Sequence, residues 1–249
     1  MRIPIVGGVI DRRILANYRI DPSVLARILP APFRPQIING WGIGGICLIR
    51  LKNERPRFLP ACCGFSSENA AHRFAVEWDD QGEVKSGVYI PRRDTSSRLM
   101  SLIGGRIFPG EQHFARFVVS ERDDRYEVAM TSEDRKIDLS VKGNLSDQWP
   151  ATSIFASLEE GSEFFRCGST GYSATCDPGR FDAMELCSTD WSIAALNVES
   201  IHSSYFEETN LFPQGSVEFD CALLMRNIVH EWHERPMLRV KPRETTAAQ

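Results

Sequence analysis

The chain has 249 residues, of which 42% are hydrophobic and 25% are charged, so it is long enough to bury the core of one large domain. Its formal net charge of -4 and its pI near 5.8 argue against a nucleic-acid partner, which would require a basic face. No apolar run approaches the roughly 20 residues that cross a bilayer, so no membrane partner is expected. Small molecules are therefore the expected ligands.

The spacing of cysteines and histidines argues against a metal site. Seven cysteines is an odd number, and the adjacent Cys62 and Cys63 do not suit ordinary disulfide geometry, which favours a reducing cytoplasm. No C-x-x-C pair occurs, and the two histidines within residues 230–233 lack the H-E-x-x-H spacing of a zinc protease. We therefore predict no metal and no cofactor.

The first part of the chain predicts strands separated by one short helix and by turns. The opening IPIVGGVI is interpreted as a strand, and Asp21 and Pro22 supply the N-cap acid and first-turn proline of a helix. The glycines after Asn39 resemble a nucleotide loop. A dinucleotide fingerprint needs a strand before its glycines and a helix after them, whereas here the strand-like ICLIRL follows. This stretch therefore predicts a turn leading into a strand, and the basic, proline-bearing residues 52–63 predict an exposed loop.

The centre of the chain predicts a β-hairpin that ends on two adjacent arginines. HRFAVEW and EVKSGVYI alternate at strand spacing around a turn at residues 79–82. Pro91 ends the second strand, and Arg92 and Arg93 follow at once. Ser97 is one of three residues that can cap the short helix predicted next. Two guanidiniums beside a helix N-terminus favour the binding of an anion.

The second half of the chain predicts more strands and one further helix. HFARFVV, YEVAM and IDLSVKG predict a three-strand meander, in which Arg116 either points inward as an anion ligand or faces solvent. Residues 153–168 predict a helix with a capping box. Glu218 lies on the polar face of the last predicted strand and would join the site if that face lined an interior. Residues 236–249 are polar and predict a flexible tail.

These elements predict the fold class. Many short alternating strands, a few short helices and no regular strand-helix alternation are typical of a mainly antiparallel, β-rich α+β protein. We expect one such domain over residues 1–235.

Three stretches carry a resemblance to a known family. They are Asn17-Tyr18-Arg19-Ile20-Asp21, Gly64-Phe65-Ser66-Ser67-Glu68 and Pro91-Arg92-Arg93. With them the chain resembles the acetoacetate decarboxylase-like superfamily, and more closely its uncharacterised bacterial branch. The resemblance implies a single-domain, cone-shaped antiparallel β-barrel with the ligand pocket inside, and it also implies a homo-oligomer.

The resemblance also shows what this chain lacks. The decarboxylases carry Pro-Lys-Lys where this chain has Pro91-Arg92-Arg93; the first lysine forms an imine with substrate and the second lowers its pKa. A guanidinium stays protonated and is a poor nucleophile, so decarboxylation through an imine at this position is excluded. Glu68 matches the acid of the family.

The resulting expectation is a pocket for a small carboxylate or keto-acid. Arg92 and Arg93 would bind the anion and Glu68 would move a proton, as in a lyase, hydratase or isomerase. Arg92 is expected to point inward, because it takes the position of the imine lysine, and a lysine placed there should gain imine reactivity. Two alternatives stay open: a non-catalytic ligand-binding protein, and a Glu68 that belongs to a buried ion-pair network.

Overall fold

The computed structural model describes residues 5–105, 110–188 and 190–240, and within them the chain forms thirteen strands and three α-helices. The helices are α1 (Pro22–Ile28), α2 (Arg98–Ile103) and α3 (Leu158–Cys167), and a 3-10 turn spans Ala61–Cys63. The strands are β1 (Ile5–Ile20), β2 (Arg34–Pro35), β3 (Ile37–Ile38), β4 (Trp41–Pro56), β5 (Phe65–Asp80), β6 (Glu83–Thr95), β7 (His113–Arg122), β8 (Arg125–Ser132), β9 (Asp138–Ser146), β10 (Thr170–Ala174), β11 (Arg180–Ser188), β12 (Ala194–Ser203) and β13 (Val217–Arg239).

The strands close into two rings that share five members. One ring has seven strands: β13, β1, β4, β5 and β6 are hydrogen-bonded in that order, and β10 and β11 link β6 back to β13. The other ring has nine strands, because β7, β8, β9 and β12 make a second connection from β6 to β13. Only the β6–β10 and β6–β7 pairings are parallel. The predicted β-rich, mainly antiparallel single-domain fold is confirmed.

The central parts of the five shared strands are buried on both faces, because there each face lies inside one ring. In β1, Ile14 packs into the nine-strand interior and its neighbour Leu15 into the seven-strand interior. In β5, even-numbered residues such as Phe74 pack into the nine-strand interior, while odd-numbered residues such as Ala75 face the other side. Strands buried on both faces read as continuous apolar runs, which is the pattern of ILA in β1 and ICLI in β4.

The predicted turns and caps are confirmed. The β5–β6 hairpin turns at Gln81 and Gly82, whose φ angles of +52° and +89° are those that a tight hairpin needs. Asp21 caps α1 by accepting a hydrogen bond from the Ser23 amide at 2.8 Å. Ser157 accepts from the Glu160 amide at 3.3 Å, so α3 begins at Leu158, five residues later than predicted.

Three further boundaries differ from the sequence prediction. Pro91 was expected to end the second hairpin strand, but β6 continues through it to Thr95. Residues 52–56, expected in a loop, belong to β4. Residues 236–239, expected in a flexible tail, belong to β13, where Leu238 pairs with Phe181 and packs against the core. Leu238 pairs with a residue 57 positions earlier in the chain. A polar segment without hydrophobic periodicity carries no local signal for such a pairing. Residues 241–249 lie outside the described residues.

The interior of the nine-strand ring is aromatic and contains one neutral histidine. His72 is fully buried, with its ring centroid 4.6 Å from that of Tyr205 and 5.9 Å from that of Phe206. Neither of its ring nitrogens has a hydrogen-bond partner among the described residues. Burial, and after it the positive charge of Arg92, lowers the pKa of His72 to about 3.

We predict that His72 makes the fold sensitive to acid. The unfolded chain protonates this histidine near its ordinary pKa of 6.5, whereas the folded protein keeps it neutral down to about pH 3. Stability is therefore full above pH 6.5 and falls as the pH drops towards 3, by at most about 1.4 kcal/mol per pH unit. Phenylalanine fits an aromatic core and does not titrate, so His72→Phe should reduce the loss of unfolding free energy between pH 7 and pH 4.5. Urea denaturation at both pH values measures it, and an unchanged loss would contradict the prediction.

An arginine-lined cavity as the candidate functional site

The seven-strand ring encloses a cavity of about 170 Å³. That volume holds on the order of ten water-sized groups, which suits a small organic molecule. Much of the wall is apolar, and α3 closes one side with Phe164 and Phe165. The odd-numbered residues of β5 from Phe65 to Ala75 all line it.

Three arginines project into this cavity from three strands: Arg13 of β1, Arg73 of β5 and Arg93 of β6. None of the three forms a salt bridge with a carboxylate of the described residues. Three other arginines of the shared strands, Arg12, Arg50 and Arg92, are paired with carboxylates. The cavity therefore carries positive charge that the described part of the protein does not neutralise.

Arg73 is the most buried of the three, with 6% of its surface exposed. Its Nη2 donates a hydrogen bond to Oδ1 of Asn17 at 2.5 Å, and its Cζ lies 4.8 Å from the ring centroid of Phe165. Its Nε has no hydrogen-bond partner among the described residues. Burial lowers the pKa of Arg73 to about 10, so the side chain stays charged at neutral pH.

Arg93 enters the cavity beside two small residues, Ser173 and Gly110. Its Nε donates to Oγ of Ser173 at 3.2 Å. A Cβ atom added at Gly110 would lie 2.8 Å from that Nε, and Gly110 also has a φ of +80°, so glycine is required on both counts. Burial lowers the pKa of Arg93 to about 10, and this side chain too remains a cation.

A bulge in β6 decides which of the adjacent arginines faces the cavity. Phe74 pairs with Tyr89 and His72 pairs with Arg92, so two residues of β6, Ile90 and Pro91, oppose the single residue Arg73 of β5. The extra residue reverses the alternation: Val88 and Ile90 line the cavity before the bulge, and Arg93 lines it afterwards. Without the bulge Arg92 would continue the inward series.

Arg92 faces the opposite side and is neutralised there. Its Nη2 lies 2.7 Å from Oδ1 of Asp94, and its Nη1 lies 2.8 Å from Oδ2 of Asp134. The expectation that Arg92 is the inward arginine was therefore wrong, because strand alternation does not continue through Pro91. The two adjacent arginines thus point to opposite sides of β6.

Glu68 lies in a network of ion pairs and does not face the cavity. One of its carboxylate oxygens is 2.6 Å from Nη2 of Arg12 and the other is 2.5 Å from Nε of Arg50. Arg12 is fully buried and also pairs with Glu121 of β7 at 2.7 Å. The network thus joins β1, β4 and β5 to β7 across the nine-strand ring. Glu68 has even parity in β5, which puts it on the face away from Arg93, so the expected shared cavity does not form and the ion-pair alternative describes the geometry.

The two remaining predicted ligand residues lie at the surface. Arg116 is exposed on β7. The Glu218 side chain is 65% exposed and pairs with Arg19 at 2.7 Å. Neither lines the cavity. The polar face of β13 at Glu218 is its outer face.

At the far end of the cavity the lining residue Glu54 contacts the buried His230, which the sequence suggested only as a metal ligand. Oε1 of Glu54 lies 2.9 Å from Nε2 of His230, and both side chains are nearly inaccessible. A Cβ atom added at Gly8 would lie 2.4 Å from Oε1 of Glu54, so Gly8 makes room for the contact. Glu54 pairs with Phe65, six residues along β5 from the Ala71 partner of Arg93, which corresponds to about 20 Å of strand.

Metal sites and membrane-spanning helices are both absent from the described residues. They contain no group of three or more histidine, cysteine, aspartate or glutamate side chains placed to hold a metal ion. None of the described helices has the length and apolar character needed to cross a membrane.

Comparisons with known proteins agree with this architecture. The sequence family DUF2071, described as "Uncharacterized conserved protein (COG2071)", matches residues 10–216. The chain belongs to this family. No curated protein matches the sequence of this DUF2071 member.

Solved structures show the fold. The acetoacetate decarboxylase of Legionella pneumophila superposes with a TM-score of 0.66 at 11% identity, covering 96% of this chain and 88% of that one. An acetoacetate decarboxylase-like enzyme from Sphingomonas wittichii RW1 gives 0.58 at 11% identity, covering 97% and 94%. The enduracididine biosynthesis enzyme MppR, solved with pyruvate, gives 0.62 at 12% identity, covering 97% and 91%. This DUF2071 chain therefore has the acetoacetate decarboxylase-like fold.

We predict that Glu68 contributes to stability. Glu68→Ala leaves the inaccessible Arg12 with only one of its two carboxylates, so the unfolding free energy should fall by about 3 kcal/mol. The matched control is Glu218→Ala, which removes an exposed ion pair and should change it by less than about 1 kcal/mol. Urea denaturation of the three proteins compares them. Equal small effects would show that the buried network does not stabilise the nine-strand ring.

Proposed function

We propose that the cavity binds a small organic carboxylate, including 2-keto acids, through Arg73 and Arg93 and without imine chemistry. The observation that carries the proposal is the pair of cavity-lining guanidiniums, both with a lowered pKa and neither with a carboxylate partner among the described residues. The ligand would supply the missing negative charge.

The energetics favour an anionic ligand. An uncompensated cation inside a protein is unfavourable by several kcal/mol, because water no longer solvates it. A carboxylate relieves this cost with charge-assisted hydrogen bonds, and a guanidinium can offer two parallel donors to one carboxylate. The free Nε of Arg73 is one donor that such a ligand could satisfy. The low dielectric of the enclosed site strengthens these bonds.

The solved relatives support the keto-acid class. MppR was solved with pyruvate, and another MppR structure holds the condensation product of pyruvate and imidazole 4-carboxaldehyde. The identity of 12% transfers no residue roles. It supports only the choice of small keto-acids as the first compounds to test.

The lysines support a function without an imine. None of the described lysines lines the cavity. Lys52 pairs with Asp11 and Lys85 with Glu83, both away from the arginines. Glu68 is occupied by Arg12 and Arg50, so the proposal gives it no proton-transfer role. This favours the ligand-binding alternative over a lyase reaction carried by Glu68.

Loss of one cavity arginine should weaken binding selectively. We expect Arg93→Gln to lower the affinity for pyruvate about 10- to 100-fold, because a hydrogen bond between charged groups contributes about 1.5 to 3 kcal/mol. Arg116→Gln removes an exposed arginine outside the cavity and should leave the affinity unchanged. Isothermal titration calorimetry measures both. A parallel loss in the two variants, or no carboxylate binding by the wild-type protein, would overturn the proposal.

A lysine at position 93 should become reactive. Its amine would be buried in the cavity, where desolvation favours the neutral form that attacks a carbonyl. We expect Arg93→Lys to form a borohydride-trappable adduct with pyruvate, detected by mass spectrometry. Arg92→Lys is the control, since its amine would meet Asp94 and Asp134 on the other face. Trapping at position 92 and not at 93 would reverse the assignment of the inward position.

A further inference from the structure

Cys47 lies at the centre of the three cavity arginines. On the cavity face, Leu15, Cys47, Ala71 and Arg93 form one row of cross-strand neighbours through β1, β4, β5 and β6. Arg13 is two residues from Leu15 and Arg73 is two residues from Ala71, so both flank Cys47 diagonally. The small side chain of Ala71 separates Cys47 from Arg93 and leaves the space over it open.

Arg13 directs its guanidinium towards two sulfur atoms, one of them that of Cys47. Nε of Arg13 donates to Sγ of Cys47 at 3.4 Å, and its Nη1 donates to Sδ of Met225 at 3.8 Å. Arg73 and Arg93 project from the neighbouring strands β5 and β6 on the same face as Cys47. The sulfur is therefore within electrostatic reach of three cations.

Such surroundings favour reaction at sulfur. A thiol attacks as its thiolate, and neighbouring guanidiniums stabilise the negative charge on sulfur. Cys47 also lines the cavity, so a bound ligand can reach it. The other buried cysteine, Cys221, lies outside the cavity lining, and burial raises the pKa of its thiol.

We propose that Cys47 is the nucleophile of this cavity and that it adds to the electrophilic carbon next to the carboxylate of a bound 2-keto acid. The class of ligand rests on the proposed carboxylate-binding function. Arg73 and Arg93 hold the carboxylate, and Arg13 holds the sulfur.

The step needs no further reactant. The sulfur–carbon bond forms as the carbonyl π bond breaks, the π electron pair moves to oxygen, and that oxygen takes the proton released by the thiol. The product is a hemithioketal with the same atoms as thiol and keto acid together. A halogenated analogue reports the reactive thiol irreversibly through a different bond. The sulfur attacks the bromomethyl carbon of bromopyruvate, the carbon–bromine bond breaks, bromide leaves with the bonding pair, and the thiol proton goes to solvent.

Paired alkylating reagents test the proposal on the wild-type protein. Bromopyruvate and bromoacetone offer the same reactive carbon, but only bromopyruvate carries a carboxylate. Peptide mapping by mass spectrometry gives a rate for each of the seven cysteines, and glutathione gives the intrinsic ratio of the reagents. For Cys47 we expect the ratio of the bromopyruvate rate to the bromoacetone rate to exceed the glutathione ratio at least about tenfold. Excess pyruvate should slow the labelling of Cys47. The exposed Cys167 should show neither effect.

The possible outcomes separate the two proposals. If pyruvate binds but Cys47 is alkylated no faster than Cys221, the nucleophile assignment is overturned and the carboxylate-binding function stands. If Cys47 reacts rapidly with both reagents and pyruvate does not protect it, the reactive thiol stands, while the carboxylate site and with it the keto-acid class are overturned.

Discussion

The architecture depends on five strands, β13, β1, β4, β5 and β6, that each belong to two closed rings. Over the central residues of such a strand both faces are covered, and the parity of a residue there decides which of two interiors its side chain enters. A single inserted residue then exchanges the two interiors for everything beyond it. The bulge in β6 does this between Ile90 and Arg93, and it assigns one arginine of an adjacent pair to the cavity and the other to the opposite face.

Buried arginines have different partners in the two interiors, and the proposed function rests on this difference. Inside the nine-strand ring Arg12 and Arg92 each contact two carboxylates, so their charge serves the structure. Around the cavity Arg73 and Arg93 have neutral hydrogen-bond partners, Asn17 and Ser173. Buried pairs that are complete contribute mainly to architecture, whereas cations left without an anion cost stability unless a ligand binds. The cavity wall thus presents positive charge that an anionic ligand can neutralise.

Local features were predictable from the sequence, and long-range pairings were not. The hairpin turn at Gln81-Gly82 and the caps at Asp21 and Ser157 depend on neighbours within four residues, so their sequence signals suffice. The partners of Glu68 come from strands 18 and 56 residues away, and no local pattern reveals them. Arg73 could have been noticed, because it stands between Ala71 and Ala75 on one face of the strand, where a charged side chain is unusual. Pro91 was the available signal for the bulge, since proline inside a sheet is confined to edges and bulges.

The central claim is that the unpaired arginines form an anion site inside the seven-strand ring. A crystal structure of the protein grown with saturating pyruvate tests it most directly. The account predicts density for a carboxylate in the cavity, within about 3 Å of guanidinium nitrogens of both Arg73 and Arg93. Pyruvate bound on the opposite face beside Arg92, or a cavity without it at saturation, would contradict the account.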